Sequence, residues 1–143
     1  MTLPENVFEP ASVPYSNLYP NDLWRPKPRF RLARAGDRWK TVATNGSART
    51  ARGLFLYIVE ADEIWVVKYI NTVIPNLGVG RIDLARGDEV DYAGEIRFRS
   101  GYNQRGMIIA WNNRSGHYFP KPEDRWVVPL LPQSSFEAHL HDL

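Results

Sequence analysis

The sequence predicts a β-rich α+β fold in which antiparallel hairpins form a compact sheet or a partly closed barrel. Aromatic residues make up 13% of the chain, and such side chains suit the pleated, half-buried surface of strands. Two runs of β-branched and aromatic residues, 54–60 and 64–70, are separated by three residues, which predicts a hairpin with a short turn. Because both runs are almost continuously apolar, we expect this hairpin to be central and covered on both faces.

Other predicted strands lie on either side of this hairpin in the sequence. Residues 30–34 alternate apolar and basic side chains, which predicts a short strand. Residues 90–99 and 107–111 predict a second hairpin around a polar turn. Residues 44–53 are mostly small or polar, which indicates a mobile loop. The C-terminal part predicts a last strand at 126–128 and a short helix from Ser134 or Ser135 to Leu140.

Proline content divides the chain into two parts. Residues 1–28 contain six prolines, a density that forbids a regular helix and favours an extended arm. Apolar anchors such as Tyr15 and Trp24 favour an arm that is docked on the domain over a free tail. Residues 29–143 are expected to form a single globular domain, since a chain of this length suits one domain with its own core.

Composition excludes several kinds of site. The chain has no cysteine, which removes disulfides, thiolate catalysis and zinc–thiolate sites. We also expect no metal site, because the chain has three histidines. Two of them, His139 and His141, are spaced so that they would lie on different faces of a helix.

The chain is expected to stay out of the membrane. Its longest apolar runs are far shorter than the ~20 residues needed to span a bilayer. Residues 1–5 have neither the charged region nor the apolar region of a signal peptide. We therefore expect a protein that is cytoplasmic as made, with any export by a route that reads no signal peptide.

Positive charge is concentrated in one segment. The net charge is +2, but residues 25–52 carry nine basic side chains against Asp37 alone. Trp24, Phe30 and Trp39 are interleaved with them, a mixture typical of nucleic-acid binding through phosphate contacts and base stacking. An acidic partner, the chain's own acidic residues or plain solvent are the alternatives. The candidate contact residues are Arg25, Lys27, Arg29, Arg31, Arg34, Arg38 and Lys40.

One loop combines groups that catalysis and turn formation both use. Residues 113–120, Asn-Arg-Ser-Gly-His-Tyr-Phe-Pro, follow an apolar run. His117 has the chemistry of a general acid or base near neutral pH, and it equally suits a tie from the loop to backbone carbonyls. Tyr118 suits a core position with a bonded hydroxyl. Glu95, at the start of a predicted strand, suits either the orientation of a ribose or an ion pair with a nearby arginine.

These elements resemble a domain found in bacterial polymorphic toxins and secreted effectors, and in plant IQ-motif calmodulin-binding proteins. Ala93-Gly94-Glu95 is similar to the family's Ala-Gly-Glu, and residues 113–120 are similar to its Asn-x-Ser-Gly-His-Tyr-x-Pro. The spacing through the intervening hairpin also fits, and the resemblance covers roughly a third of the chain. Where the family has His-Ser-Ser, this chain has Arg81-Ile82-Asp83. The resemblance therefore implies a fold and a biological setting more than an activity.

Three functional hypotheses follow. The resemblance implies a toxin- or effector-like domain that binds a macromolecular partner, with a protein favoured, or a nucleotide-type ligand in a pocket near Glu95 and His117. The second hypothesis is an ADP-ribosyltransferase-like enzyme, in which Glu95 polarises the ribose and His117 or Arg81 grips the dinucleotide; NAD is a cofactor under this hypothesis alone. The third is a nucleic-acid-binding module that uses residues 25–52. The catalytic candidates are Glu95 and His117, and the ligand-binding candidates are Arg81, Arg114, Ser115 and Tyr118.

Overall fold

Strands dominate the computed structural model, which describes residues 14–19, 21, 28–69, 85–86, 88–115 and 118–139. Within these residues one mixed sheet has the strand order β3-β2-β1-β5-β4-β6-β7-β8. Neighbouring strands are antiparallel except β7 and β8, which are parallel. The strands are β1 (Phe30–Ala35), β2 (Arg38–Val42), β3 (Ala48–Thr50), β4 (Gly53–Glu60), β5 (Glu63–Lys68), β6 (Tyr92–Phe98), β7 (Ile108–Asn112) and β8 (Phe136–Glu137).

The predicted β-rich character is confirmed, and the sheet is open rather than closed into a barrel. Of the two alternatives that the sequence left, the chain therefore adopts the sheet. Its edge strands, β3 and β8, are three and two residues long. Short edges of this kind offer few unpaired backbone groups to another chain.

The predicted central hairpin is confirmed as β4 and β5. Its two-residue turn is Ala61-Asp62, and both residues have positive φ, 49° and 65°. Such turns suit hairpins because their twist matches that of the flanking strands. Every residue from Phe55 to Val59 is buried, so the centre of β4 is covered on both faces as expected.

Two apolar cores lie on opposite faces of β4. Side chains alternate along a strand, so Phe55, Tyr57 and Val59 point to one face, which we call the Phe55 face. Leu56 and Ile58 point to the other face. Leu56 is paired with Glu95 of β6, so we call this second side the Glu95 face. The larger core, on the Phe55 face, includes Leu32, Trp39, Ile64, Val66, Tyr92, Ile96, Phe98 and Trp111.

The other predicted strands are confirmed as β1, β6 and β7, with ends shifted by one or two residues. The sequence did not predict β2 or β3. The stretch 44–53, expected to be a loop, contains β3, which pairs with β2. The bend between them is closed by backbone bonds from Ala43 N to Ser47 O (2.8 Å) and from Gly46 N to Ala43 O (2.9 Å). This segment is therefore part of the sheet and its turn.

The C-terminal predictions need correction. Residues predicted as a last strand at 126–128 belong largely to a 3₁₀ helix, Pro122–Val127. Where a helix was expected to start at Ser134 or Ser135, a 3₁₀ turn, Gln133–Ser135, leads directly into β8; Leu140 lies outside the described residues. Packing explains β8: the Phe136 and Trp111 rings lie 4.6 Å apart edge to face, and Trp111 Nε1 donates to the Pro132 carbonyl at 2.8 Å.

The described part of the N-terminal arm contacts the domain at Tyr15. Its backbone pairs with Val90, and its ring packs edge-on against Tyr92 at 6.3 Å. The Tyr15 hydroxyl donates to the Asp124 carboxylate and accepts from Lys121 N. Burial, followed by the bond to Asp124, raises the pKa of Tyr15 to about 12. This one residue thus connects the arm, the sheet and the 3₁₀ helix.

Strands β6 and β7 approach each other unusually closely at Gly94. A Cβ at this position would lie 2.0 Å from the carbonyl oxygen of Asn112 and 3.0 Å from the Tyr57 ring. The Asn112 oxygen is held there by the Tyr57 hydroxyl, which donates to it at 2.6 Å. Glycine is therefore required at the centre of the Ala-Gly-Glu element because of sheet packing.

We expect Gly94→Ala to lower the free energy of unfolding by about 3 kcal/mol, since the overlap is with backbone that cannot rotate away. Gly101→Ala is the matched control, because its new methyl would meet nothing closer than 3.7 Å, and its effect should stay within about 0.5 kcal/mol. Urea unfolding measures both. Equal stability of the two variants would contradict the close approach.

Candidate functional site

Glu95 is held in place by Asn112 of the neighbouring strand. The Glu95 backbone N–H donates to Asn112 Oδ1 at 2.9 Å, and Asn112 Nδ2 donates to Glu95 Oε1 at 3.1 Å. Asn112 Oδ1 also accepts from the Arg114 N–H at 3.0 Å. One amide therefore connects the Ala-Gly-Glu element to the start of the 113–120 loop. The two halves of the sequence motif meet through these bonds.

Two side chains of the 113–120 loop make structural contacts. Asn113 is fully buried; its amide donates to the carbonyls of Pro120 (2.8 Å) and His139 (2.9 Å), and its Oδ1 accepts from His139 N at 2.7 Å. Tyr118 is buried and donates its hydroxyl to the Asp88 carbonyl at 2.8 Å. Burial, with the Glu60 charge as the next cause, raises the pKa of Tyr118 to about 12. Both side chains fix the loop to the domain.

The remaining motif candidates are dispersed or undescribed. Ser115 is buried, and its hydroxyl has no hydrogen-bond partner among the described residues. Arg114 is exposed. His117 and Arg81 lie outside the described residues. The structure therefore brings Glu95 next to Asn112, and it places Tyr118 and Ser115 in the interior.

A small polar pocket opens beside Glu95. Its volume is about 190 Å³, and Glu95, Arg97, Asn112 and Glu137 contribute its polar groups. Small-molecule sites usually measure ~300–1,000 Å³. The pocket therefore suits a single side chain or a small ion better than a dinucleotide.

Three of the predicted basic contact residues make structural contacts, and two others lie on the Glu95 face. Arg29 donates to Glu60 at 2.9 Å and stacks over Trp65 at 4.0 Å, and Arg38 donates to the Asn103 and Arg105 carbonyls. Arg34 donates to the Gly36 carbonyl at 2.8 Å. Arg31 and Lys40 share the Glu95 face by register. Arg25 and Lys27 lie outside the described residues.

A larger cleft lies on the Phe55 face, at the end of the sheet where β4 begins and β5 ends. Its volume is about 580 Å³. Phe30, Thr41 and Phe55 form the floor, and Arg49, Arg52 and Lys68 contribute cationic groups. The β2–β3 bend supplies the remaining wall with Ala43, Asn45 and Ser47. We call this feature the cationic cleft.

Pairing across the sheet explains why these groups converge. Phe55 is opposite Lys68, and Thr41 is opposite Arg49. Residues directly opposite each other in neighbouring strands share a face. Lys68 and Arg49 are therefore each placed beside a floor residue. Arg52 directly precedes β4, so it lies at the same end of the sheet.

Among the described residues, the cleft carries positive charge without a compensating acid. None of the described residues that line it is Asp or Glu, and the ion pairs formed within the described residues involve Arg29 and Arg38. The Lys68 ammonium lies 4.8 Å from the Phe55 ring centre and donates to the Arg52 carbonyl. Burial, and then the nearby charge of Arg52, lowers the pKa of Lys68. The folded protein therefore holds this cation at an energetic cost.

Sequence reasoning missed the three cations of the cleft for a specific reason. Arg49 and Arg52 were counted in the basic segment, but they lie in a stretch predicted to be a loop, so nothing assigned them to a face. Lys68 lies in the central hairpin. Its position opposite Phe55 follows from the hairpin register, which was the available signal.

Two further observations concern metal binding and membrane insertion. Within the described ranges there is no cluster of three or more His, Cys, Asp or Glu side chains that could hold a metal ion. The same residues contain no helix of the length and apolarity needed to cross a bilayer.

Comparisons with protein-family models, with curated proteins and with solved structures found no match for this chain. The resemblance to the toxin and effector domain therefore stays a prediction. The function is argued from the geometry of the cleft.

We expect Lys68→Met to stabilise the protein near neutral pH, because methionine keeps an apolar cover on Phe55 without the disfavoured charge. The lowered pKa means that the unfolded chain binds more protons than the folded one between that pKa and about 10.5. Wild-type stability therefore gains in this window as the pH rises.

The advantage of Lys68→Met should accordingly shrink from pH 7 towards pH 10.5, as measured by urea unfolding at both ends. Lys40→Met, which removes an exposed lysine on the Glu95 face, is the control for loss of one positive charge. A Lys68→Met variant that is destabilised by the same amount at every pH would refute this account of the cleft.

Proposed function

We propose that this protein is a binding module that holds a phosphate-bearing, nucleotide-type ligand in the cationic cleft. The observation that carries the proposal is the convergence of Arg49, Arg52 and Lys68 around a largely apolar floor, with no Asp or Glu among the described lining residues. A folded protein that places cations together without acidic partners lowers its own stability. An anionic ligand would supply the missing charge.

The chemistry of the lining fits a phosphate. Arginine presents several N–H donors in a planar fork that matches phosphate oxygens, and lysine adds a compact charge. Thr41 and Ser47 add hydroxyl groups to the floor and wall. Phe30 gives an apolar surface of the kind on which bases stack. At about 580 Å³ the cleft has the size expected of a small-molecule site.

This proposal keeps the nucleotide-type ligand of one sequence-based hypothesis and the basic contacts of another, and it places both at the cationic cleft. The nucleotide-type ligand moves from the surroundings of Glu95 to the Phe55 face, and the basic contacts are reduced from the segment 25–52 to Arg49 and Arg52, with Lys68 added. Glu95 lies on the opposite face of the sheet, so it cannot act on a ligand in the cleft. The geometry therefore favours binding over a transferase that would use Glu95.

The proposal is tested by isothermal titration with nucleoside diphosphates at about 0.15 M salt. We expect Arg49→Gln combined with Arg52→Gln to weaken binding by about a hundredfold, since each charged hydrogen bond contributes about 1.5–3 kcal/mol and 1.4 kcal/mol is a factor of ten. Arg31→Gln combined with Lys40→Gln removes the same charge from the Glu95 face and should leave affinity within about twofold. An equal loss in both double variants would mean that binding is unspecific attraction to net charge.

We also propose, on the family resemblance alone, that the module works in a toxin or effector setting and acts on a protein partner. The expected result is growth inhibition when the chain is expressed in a bacterial or yeast host, relieved by the Arg49→Gln, Arg52→Gln variant and retained by the Arg31→Gln, Lys40→Gln variant. Normal growth with wild-type protein at matched expression would contradict the toxin setting without touching the binding proposal.

A further inference from the structure

We propose that the cationic cleft selects a terminal phosphate of a nucleotide over the internal phosphodiesters of a strand. This inference rests on the proposed function and narrows its ligand. The proposal rests on the observation that Arg49, Arg52 and Lys68 line one cavity and do not form a row across the surface. Binding a polynucleotide requires a groove that tracks successive backbone phosphates.

Within the basic segment 25–52, the other cations that the structure describes do not extend such a path. Arg31 and Lys40 project from the Glu95 face, while the cleft opens on the Phe55 face. Arg29, Arg34 and Arg38 are bound to the Glu60 carboxylate or to backbone carbonyls. A strand leaving the cleft along this segment would therefore meet few available charges among its described cations.

Charge matching favours a terminal group. The cleft offers two guanidinium groups and one ammonium group. An internal phosphodiester carries one negative charge, whereas a terminal phosphate monoester carries about −1.5 to −2 near pH 7. A diphosphate adds a further charge, so it comes closest to balancing the three cations.

Hydrogen bonds within the β2–β3 bend hold the wall of the cleft. Asn45 Oδ1 accepts from the Ser47 N–H at 2.9 Å, a bond that uses the acceptor end of the amide and not its Nδ2 donor. Two backbone hydrogen bonds close the same bend. A terminal phosphate presents three acceptor oxygens, one more than a phosphodiester presents, and it can use donors from Arg49, Arg52 and the wall together.

Lys68 provides an independent readout. Burial and Arg52 depress its pKa in the free protein, and a bound dianion beside it would raise that pKa again. Ligand binding at alkaline pH should therefore be accompanied by proton uptake. An adventitious weak contact elsewhere on the surface would not produce this linkage at Lys68.

The experiment compares six probes on the full chain: a nucleoside, the matching nucleoside diphosphate, and oligothymidylates of five and fifteen residues, each made with and without a 5′-phosphate. We expect the nucleoside not to bind and the 5′-phosphorylated strands to bind at least tenfold more tightly than the hydroxyl-ended ones. Affinity of the phosphorylated strands should not increase with length. Proton uptake, measured by titration in buffers of different ionisation enthalpy, should be lost in Lys68→Met.

The outcomes separate the inference from the function on which it rests. Equal binding of hydroxyl-ended and phosphorylated strands, with affinity and salt dependence that grow with length, would overturn terminal selection and leave a phosphate-binding cleft. Failure of every probe to bind, or binding unchanged by Arg49→Gln with Arg52→Gln, would overturn both.

Discussion

The two-sided burial of β4 is the constraint on which the rest of the structure depends. A strand covered on both faces cannot slip by one residue, because every side chain would change face and both cores would be lost. The register of β5 and β6 is fixed from β4, and β1 follows from β5. The same constraint decides the chemistry, since it places Lys68 beside Phe55 and Glu95 beside Leu56 on opposite sides of one sheet.

The close contact at Gly94 gives a physical account of the motif that the sequence made conspicuous. Asn112 receives a hydrogen bond from Tyr57 on its carbonyl and exchanges bonds with Glu95 through its amide. Asn113 then fixes the chain to His139, and Tyr118 fixes it to Asp88. In the described residues this motif closes the loop after β7 onto the domain, so the choice of Gly94, Asn113 and Tyr118 is explained by folding before any ligand is considered.

The sequence predicted those elements whose pattern comes from burial. Continuous apolar runs predicted β4 and β5, and alternation predicted β1 and β6. It could not predict β2 and β3, which carry polar or cationic side chains at most positions and are placed by pairing, β2 with β1 and β3 with β2. It also misplaced the C-terminal elements, because Phe136 joins the sheet by packing on Trp111, a contact between residues distant in sequence. The cleft could not be predicted for the same reason. Its cations come from three strands or their ends, and the pairing of those strands in the sheet brings them together.

The exposed edge strand β3 has a consequence for solubility. Its three residues, Ala48, Arg49 and Thr50, are all exposed, and in the described part of the chain this strand pairs on one side only, with β2. An unpaired edge strand can pair with the edge of a second copy of the protein, and a charged side chain on a very short strand commonly prevents this. Arg49 therefore also repels a second copy of the chain approaching edge to edge. The charge that would attract an anionic ligand is the same charge that keeps the sheet from growing.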